Sequence, residues 1–194
     1  MKALHWIIAI VLTFEMPVPV YWLVLHGPVE FWRKQGRVAY LVGVLIAWGG
    51  GGWLLYHFRR ELFAGPWFDA PPAWAIAVGL ALIAADFWIL ARVEVTLGGR
   101  RLVGQAELTG TGELATCGLY ERVRHPRYLG MMAAVLGGCV LVGSPRLWAV
   151  AGVWWIAALG IIRLEERELR RRFGPAYAAY TKLVPMLVPR FGPR

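Results

Sequence analysis

Charged residues and cysteines are scarce in this sequence. Asp, Glu, Lys and Arg make up only 17% of the 194 residues, whereas 58% are hydrophobic. An ordinary soluble domain carries more charge and less apolar sequence, so this composition indicates a membrane protein. The two cysteines, Cys117 and Cys139, are well separated, and Cys139 lies in an apolar run. They therefore imply neither a disulfide framework nor a zinc site.

Metal-binding clusters and nucleic-acid motifs are also missing from the sequence. The four histidines are far apart: His5, His26, His57 and His125. We therefore expect no metal. The net charge of +9 does not gather on one continuous basic surface, and no nucleic-acid motif accompanies it. We expect no nucleic-acid partner, and the orientation of membrane helices explains the positive charge better.

Apolar runs dominate what is present, at residues 4–25, 38–58, 73–91, 128–142 and 147–162. A helix rises about 1.5 Å per residue, so the first three can cross a hydrocarbon core of about 30 Å. The last two have 15 and 16 residues, which leaves a tilted crossing pair and a partly inserted hairpin both open. We predict an all-α polytopic membrane helix bundle of about five transmembrane helices. Residues 1–91 supply three of them, and residues 92–194 complete the same compact unit.

The first run resembles a signal peptide, but Lys2 is a thin positive start, no small-residue cleavage site follows, and more spans come later. We expect a retained helix with a kink near Pro17 and Pro19, whose rings disrupt the backbone hydrogen bonds. Glu15 in this run is costly in lipid. A functional role at depth and a structural role at a water-filled pocket or beside a neighbouring helix both remain open for it.

The second and third runs contain two further features. Four consecutive glycines, residues 49–52, predict close helix packing or bending. Asp86 falls toward the end of the third run, where we expect it near the interface. Arg92 then begins a polar segment, and we predict that residues 92–127 lie outside the lipid as an ordered, functional loop.

The distribution of cations predicts the orientation. With five spans and the N-terminus outside, 17 of the 21 Lys and Arg residues fall on the inner side. Positive residues favour the cytoplasmic side, so we expect a cytoplasmic C-terminus. With no visible targeting segment, this pattern fits a bacterial inner membrane.

Two polar motifs flank the last pair of apolar runs. The first reads Arg124-His125-Pro126-Arg127-Tyr128-Leu129-Gly130, and the second begins Glu165-Glu166-Arg167-Glu168-Leu169 and ends Phe173-Gly174-Pro175-Ala176-Tyr177. Pro suits the first turn of a helix, and the free N–H groups there favour an anion. Both outer ends of a hairpin return to one side, so we expect His125 and Tyr128 to lie close to the Glu pair. We expect a helix over residues 163–173, a stop at Gly174-Pro175, and a tail that packs back across the site.

These motifs resemble the isoprenylcysteine carboxyl methyltransferase and phospholipid methyltransferase superfamily of integral membrane enzymes. The resemblance covers residues 97–189, and the N-terminal half matches only in being hydrophobic. It implies S-adenosyl-L-methionine as cofactor, with membrane lipids and a hydrophobic methyl acceptor as partners. The cofactor-binding residues implied by the family motifs are Gln105, Gly112, Glu113, Leu114, Ala115, Tyr120, His125, Pro126, Arg127, Tyr128 and Glu165.

The cofactor needs both signs of charge and an aromatic slot. Carboxylates of Glu165 or Glu166 suit its amino group or ribose hydroxyls, His125 suits its carboxylate, and Tyr120 and Tyr128 suit its adenine or sulfonium. Our candidate catalytic residues are Arg163 and Glu166. The family places a substrate-binding arginine one helical turn before the Glu pair, where this chain has Ile161, which makes a prenylated cysteine carboxylate a doubtful acceptor.

A base is needed only if the acceptor arrives protonated, and Glu166 or Glu15 are the candidates for that role. Two other functions remain open beside the methyltransferase. One is an NADPH-dependent sterol-type reductase, whose C-terminal region resembles this superfamily, although five spans are few for it. The other is a non-catalytic lipid-binding membrane protein.

Overall fold

The computed structural model describes residues 2–26, 29–35, 38–98 and 113–189, and helices are the regular secondary structure of these ranges. The helices are α1 (Lys2–Glu15), α2 (Val18–His26), α3 (Val29–Gln35), α4 (Val38–Val44), a π-helix (Leu45–Gly50), α5 (Gly51–His57), α6 (Arg59–Leu62), α7 (Ala73–Leu97), a 3-10 turn (Gly118–Glu121), α8 (Pro126–Val142) and α9 (Pro145–Leu183).

These helices reproduce the five predicted apolar runs. Three segments are long and apolar enough to cross a membrane: Ala3–Leu25, Ala73–Leu97 and Pro145–Leu183. Two shorter apolar helical segments, Leu41–His57 and Pro126–Val142, account for the other two runs. The predicted all-α membrane helix bundle is confirmed.

The N-terminal run is broken where its prolines predict. Helix α1 ends at Glu15 and α2 begins at Val18, with a turn at Met16 and Pro17. The second span contains a π-helix, Leu45–Gly50, which overlaps the run of four glycines at residues 49–52. A Cβ atom added to Gly51 would lie 3.1 Å from the Pro17 ring, so this glycine allows the second span to approach the kink closely.

Helix α7 is longer than we predicted. The sequence placed the end of the third span at Ala91 and a polar loop from Arg92, but the helix continues to Leu97. The loop prediction is therefore wrong for residues 92–97. Charged residues are compatible with a helix, whereas Gly98, with φ of 75°, ends it. Residues 99–112 of the predicted loop lie outside the described part of the chain.

Helices α8 and α9 form the predicted hairpin. Gly143 has the left-handed φ of 68° that reverses the chain, and the Ser144 side chain accepts a hydrogen bond from the Leu147 N–H at 3.4 Å. Helix α8 packs against α1 and α7 around buried Met131 and Val135. Both outer ends of the hairpin therefore lie on one side of the bundle.

The C-terminal helix has a break and a second part. Gly174 adopts φ of 51°, so the expected stop is present at that residue. The chain then resumes a helix from Pro175 to Leu183, whereas the sequence analysis named no helix after this stop. Pro occupies the first turn of this second part, where its missing N–H is tolerated.

Candidate functional site

The two polar motifs meet at the open end of the hairpin. His125 Nε2 lies 3.3 Å from Glu166 Oε1, and His125 Nδ1 lies 3.8 Å from Glu165 Oε2. His125 is buried at the start of α8, and both glutamates belong to α9. The predicted convergence of His125 with the Glu pair is confirmed.

Arg124 joins these motifs to the C-terminal segment. Its Nε and Nη2 atoms lie 2.8 Å and 2.6 Å from Glu166 Oε1, and its Nη1 donates to the Val184 carbonyl at 2.6 Å. Its backbone N–H donates to the Pro185 carbonyl at 2.9 Å. The tail thus packs back across the site, as the sequence predicted. The sequence analysis included Arg124 in the first polar motif but assigned it no role of its own.

Glu166 is held by three neighbouring basic side chains. Besides Arg124 and His125, it accepts a hydrogen bond from Arg170 at 3.4 Å, and its side chain is 9% exposed. A buried carboxylate without such partners would carry a large desolvation penalty. Glu166 therefore fixes the positions of Arg124 and His125 instead of facing a ligand.

A cavity of about 330 Å³ lies beside this ion cluster. Eight of the cofactor-binding residues predicted from the family motifs line it: Glu113, Leu114, Ala115, Tyr120, His125, Arg127, Tyr128 and Glu165. The predicted residues Gln105 and Gly112 lie outside the described part of the chain. Pro126 starts α8 and is not among the lining residues.

The two candidate catalytic residues are placed differently. Arg163 is exposed, and neither it nor Glu166 lines the cavity. Glu166 supports Arg124 and His125 without lining the cavity, and Arg163 lies outside the cavity wall.

The rest of the cavity wall was not predicted. One part is apolar and comes from α2, from α4 with its π-helix, and from α7: Val18, Tyr21, Trp22, Val44, Trp48 and Leu90. Another part comes from α9: Leu169, Arg172, Phe173, Tyr177 and Tyr180. The Tyr180 hydroxyl donates to the Tyr120 carbonyl at 2.6 Å. This hydrogen bond holds the C-terminal helix against the 3-10 turn.

A second ion cluster lies behind the cavity. Arg127 Nη2 lies 2.8 Å and 2.7 Å from the two carboxylate oxygens of Glu15, and Arg127 Nη1 contacts Asp86 Oδ1. Glu15 is 7% exposed and Asp86 is 2% exposed. Glu15 thus pairs with a neighbouring helix, which is the structural alternative left open for it. Asp86, expected near the interface, is a buried partner of the same arginine.

Among the described residues, no group of three or more His, Cys, Asp or Glu side chains is arranged to hold a metal ion. The residues that line the cavity fall into two chemical groups. The two motifs and α9 contribute carboxylates, arginines, an imidazole and phenols, and we call this part the polar end. Helices α2, α4 and α7 and the π-helix contribute mainly aliphatic and indole groups, and we call this part the apolar end. Such an arrangement suits a ligand with a polar, charged part and a neighbouring apolar molecule.

The fold and this cavity define a membrane helix bundle with an enclosed small-molecule site. Residues 74–176, just over half of the sequence, match the family model described as phospholipid methyltransferase. The chain belongs to the phospholipid methyltransferase family. The resemblance stated from the two motifs is thereby confirmed, and the matched region contains α7, α8 and most of α9.

Curated relatives agree with this family. The chain is 28% identical over 171 residues to methanethiol S-methyltransferase 2 of Bradyrhizobium diazoefficiens, covering 88% of this chain and 54% of that protein. It is 36% identical over 78 residues to protein-S-isoprenylcysteine O-methyltransferase B of Arabidopsis thaliana, covering 40% of each. The chain thus spans about half the length of methanethiol S-methyltransferase 2. No solved structure matches the chain significantly.

The Arg124 contacts yield a test of how the site is held together. We expect Arg124→Gln to loosen the segment over residues 175–189, because it removes the link between Glu166 and the Val184 carbonyl. Hydrogen exchange in that segment should rise at least tenfold, since breaking a well-buried ion pair costs about 3–5 kcal/mol.

The matched control is Arg170→Gln. Arg170 contacts the same carboxylate at 3.4 Å, but its side chain is 60% exposed, so its loss should change exchange little. Equal effects of the two variants would contradict the role given to Arg124.

Proposed function

We propose that this chain is an integral membrane methyltransferase that uses S-adenosyl-L-methionine to methylate a lipid or lipid-like acceptor. The observation that carries the proposal is the single cavity wall in which the family motifs form a polar end beside an apolar, aromatic end. Membership of the phospholipid methyltransferase family and relatives named as methyltransferases support it. The chain spans about half the length of methanethiol S-methyltransferase 2, so we propose the methyltransferase activity for this chain instead of taking it from that relative.

The polar end fits the donor. Glu165, at the wall beside His125, suits the amino group or ribose hydroxyls of the donor, and Arg172 and His125 suit its carboxylate. Tyr120 and Tyr128 supply aromatic faces for the adenine or the sulfonium cation. A volume of about 330 Å³ lies at the lower end of the range of about 300–1000 Å³ for small-molecule sites. The cavity is therefore large enough for one molecule of this size.

The apolar end fits the acceptor. Among the described residues that line it, Val18, Val44, Trp48 and Leu90 carry no charge, so a charged headgroup would lose its hydration there without compensation. The acceptor therefore presents an apolar body to this wall. Since the donor takes up most of the enclosed space, a long acceptor has to extend out between the helices.

Alignment and exclusion of water supply the rate enhancement in this proposal. The donor supplies an activated methyl group on its sulfonium sulfur. The ion clusters hold His125 and Arg127 at the wall, and the C-terminal helix covers the polar end through Tyr180. Glu15 and Glu166, the two candidate bases, are both engaged by arginines. We therefore propose that the acceptor reacts in its deprotonated form and that neither carboxylate takes its proton.

A small apolar thiol is a second candidate acceptor. Two observations favour it: the relative with the widest coverage of this chain is named as a methanethiol S-methyltransferase, and the enclosed volume is small. The thiolate of such an acceptor would lie next to the sulfonium cation, which compensates its charge until transfer of the methyl group leaves both sulfur groups neutral.

The orientation proposed for the chain has the N-terminus outside and the C-terminus in the cytoplasm of a bacterial inner membrane. Arg92 lies in the C-terminal part of α7, Arg122 precedes α8, and Arg163 lies in α9 two residues before Glu165, so all three lie toward the end of the bundle that carries the proposed donor site. Positive residues at this end support a cytoplasmic donor site.

The donor assignment is tested by calorimetric titration of the purified protein with S-adenosyl-L-methionine. We expect saturable binding, weakened at least tenfold by Glu165→Gln, because hydrogen bonds to charged groups contribute about 1.5–3 kcal/mol. The control Glu94→Gln removes an exposed carboxylate on α7 and should leave affinity unchanged. Stabilisation by NADPH with no binding of S-adenosyl-L-methionine would instead favour the reductase, and binding of neither cofactor would favour a non-catalytic protein.

The acceptor wall is tested with alkanethiols and prenylated thiols of increasing length. We expect Trp48→Ala to raise turnover of long acceptors relative to short ones by about tenfold, because a removed indole makes room for several methylene groups. Donor affinity should stay the same. Trp53→Ala, which removes a tryptophan that is 60% exposed on α5, is the control and should leave the length preference unaltered. An unchanged preference in Trp48→Ala would refute the assignment of this wall.

A further inference from the structure

A second cavity, of about 650 Å³, lies along α1, where residues 5–13 contribute to its wall. It is formed by α1, α5, α6 and the segment that follows α6, and it shares no lining residue with the donor cavity. We call it the α1–α5 groove. Neither the methyl donor nor the acceptor is assigned to it.

The groove has an apolar floor and a basic end. Leu12, Leu55 and Phe63 provide apolar surface, whereas Arg59 and Arg60 lie where α5 ends and α6 begins. Arg59 is held in place: its Nη1 donates to the Tyr56 carbonyl at 2.6 Å, and its guanidinium lies 4.0 Å from the centre of the Tyr56 ring. Within the described residues, no carboxylate pairs with either arginine.

Its surroundings are those of a membrane interface. Trp6 is 69% exposed and Tyr56 is 66% exposed; both line the groove, and Tyr56 contacts Arg59. Exposed tryptophan and tyrosine are enriched where membrane helices meet lipid headgroups. A phospholipid whose phosphate lies at that depth would therefore reach the arginines with its headgroup. Its acyl chains would point along the helices.

We propose that the α1–α5 groove binds one anionic phospholipid of the bilayer. Arg59 and Arg60 hold the phosphate, since arginine donors match phosphate oxygens in a forked geometry. One acyl chain runs over Leu12 and Leu55. Gly52 leaves room for it, because a Cβ atom added there would meet nothing within 4 Å.

Two other occupants fit the charges and the volume less well. A second copy that used the same patch symmetrically would bring a second pair of these arginines into the same interface. Like charges in such contact are unfavourable. A soluble phosphate would occupy the basic end alone and leave the apolar floor uncovered.

The proposal is tested by lipid titration of the purified full chain, monitored by native mass spectrometry, with phosphatidylglycerol and phosphatidylcholine as probes. We expect tighter binding of phosphatidylglycerol. The double variant Arg59→Gln/Arg60→Gln should weaken that binding about 25-fold, because each cation near a lipid phosphate contributes about 1 kcal/mol, or about fivefold. The matched control is Arg146→Gln, an exposed arginine at the turn between α8 and α9, which should have no effect.

Gly52→Leu tests the floor separately, because it keeps both arginines and fills the groove. We expect it to weaken phosphatidylglycerol binding about tenfold while the protein stays folded, since leucine favours a helix more than glycine does. Equal affinity for phosphatidylglycerol and phosphatidylcholine would overturn the proposal. It would also be overturned if Gly52→Leu bound phosphatidylglycerol as tightly as the unchanged protein and inorganic phosphate competed for that binding. A dimer that forms without lipid and is lost in Gly52→Leu would assign the groove to a second copy instead.

Discussion

The contact of Glu166 with Arg124 and His125 is the interaction on which the site depends. A carboxylate removed from water in a membrane bundle is stable only when it is paired and hydrogen-bonded. Arg124 and His125 satisfy it from the other end of the hairpin, at 2.6 Å and 3.3 Å. The pairing therefore sets how α8 and α9 meet. Arg124 also binds carbonyl groups of the C-terminal segment, so the same contact closes the polar end of the cavity.

A second ion cluster uses the next turn of the same motif. Arg127 follows Arg124 by three residues, so the start of α8 presents one arginine to α9 and another to α1 and α7. Through Glu15 this second arginine fixes the kink between α1 and α2, just before the cavity residue Val18. Gly130 makes this possible, because a Cβ atom there would lie 2.6 Å from Asp86 Oδ1. The polar end and the apolar end of the cavity are thus connected through the start of α8.

The sequence predicted those features that local rules control. Apolar runs identified five helical segments, Pro17 marked the kink, and the hairpin required both polar motifs to meet. The family motifs named eight residues of the cavity wall, and their roles remain predictions. The sequence did not predict that α7 continues to Leu97, because charged residues in a helix look like the start of a loop when only hydropathy is considered. Nor did it show that Tyr21, Trp22 and Trp48 face the cavity, since the rotation of an apolar helix is set by packing with its neighbours.

The central claim is that the two polar motifs enclose one methyl donor. An experimental structure of the protein bound to S-adenosyl-L-homocysteine, the demethylated donor, tests it most directly. The account predicts the ligand between α8 and α9, with Glu165 and His125 at its polar groups and an aromatic ring of Tyr120 or Tyr128 against its adenine or sulfur. A ligand bound elsewhere in the bundle, or hairpin ends held apart without the contact between His125 and Glu166, would contradict it.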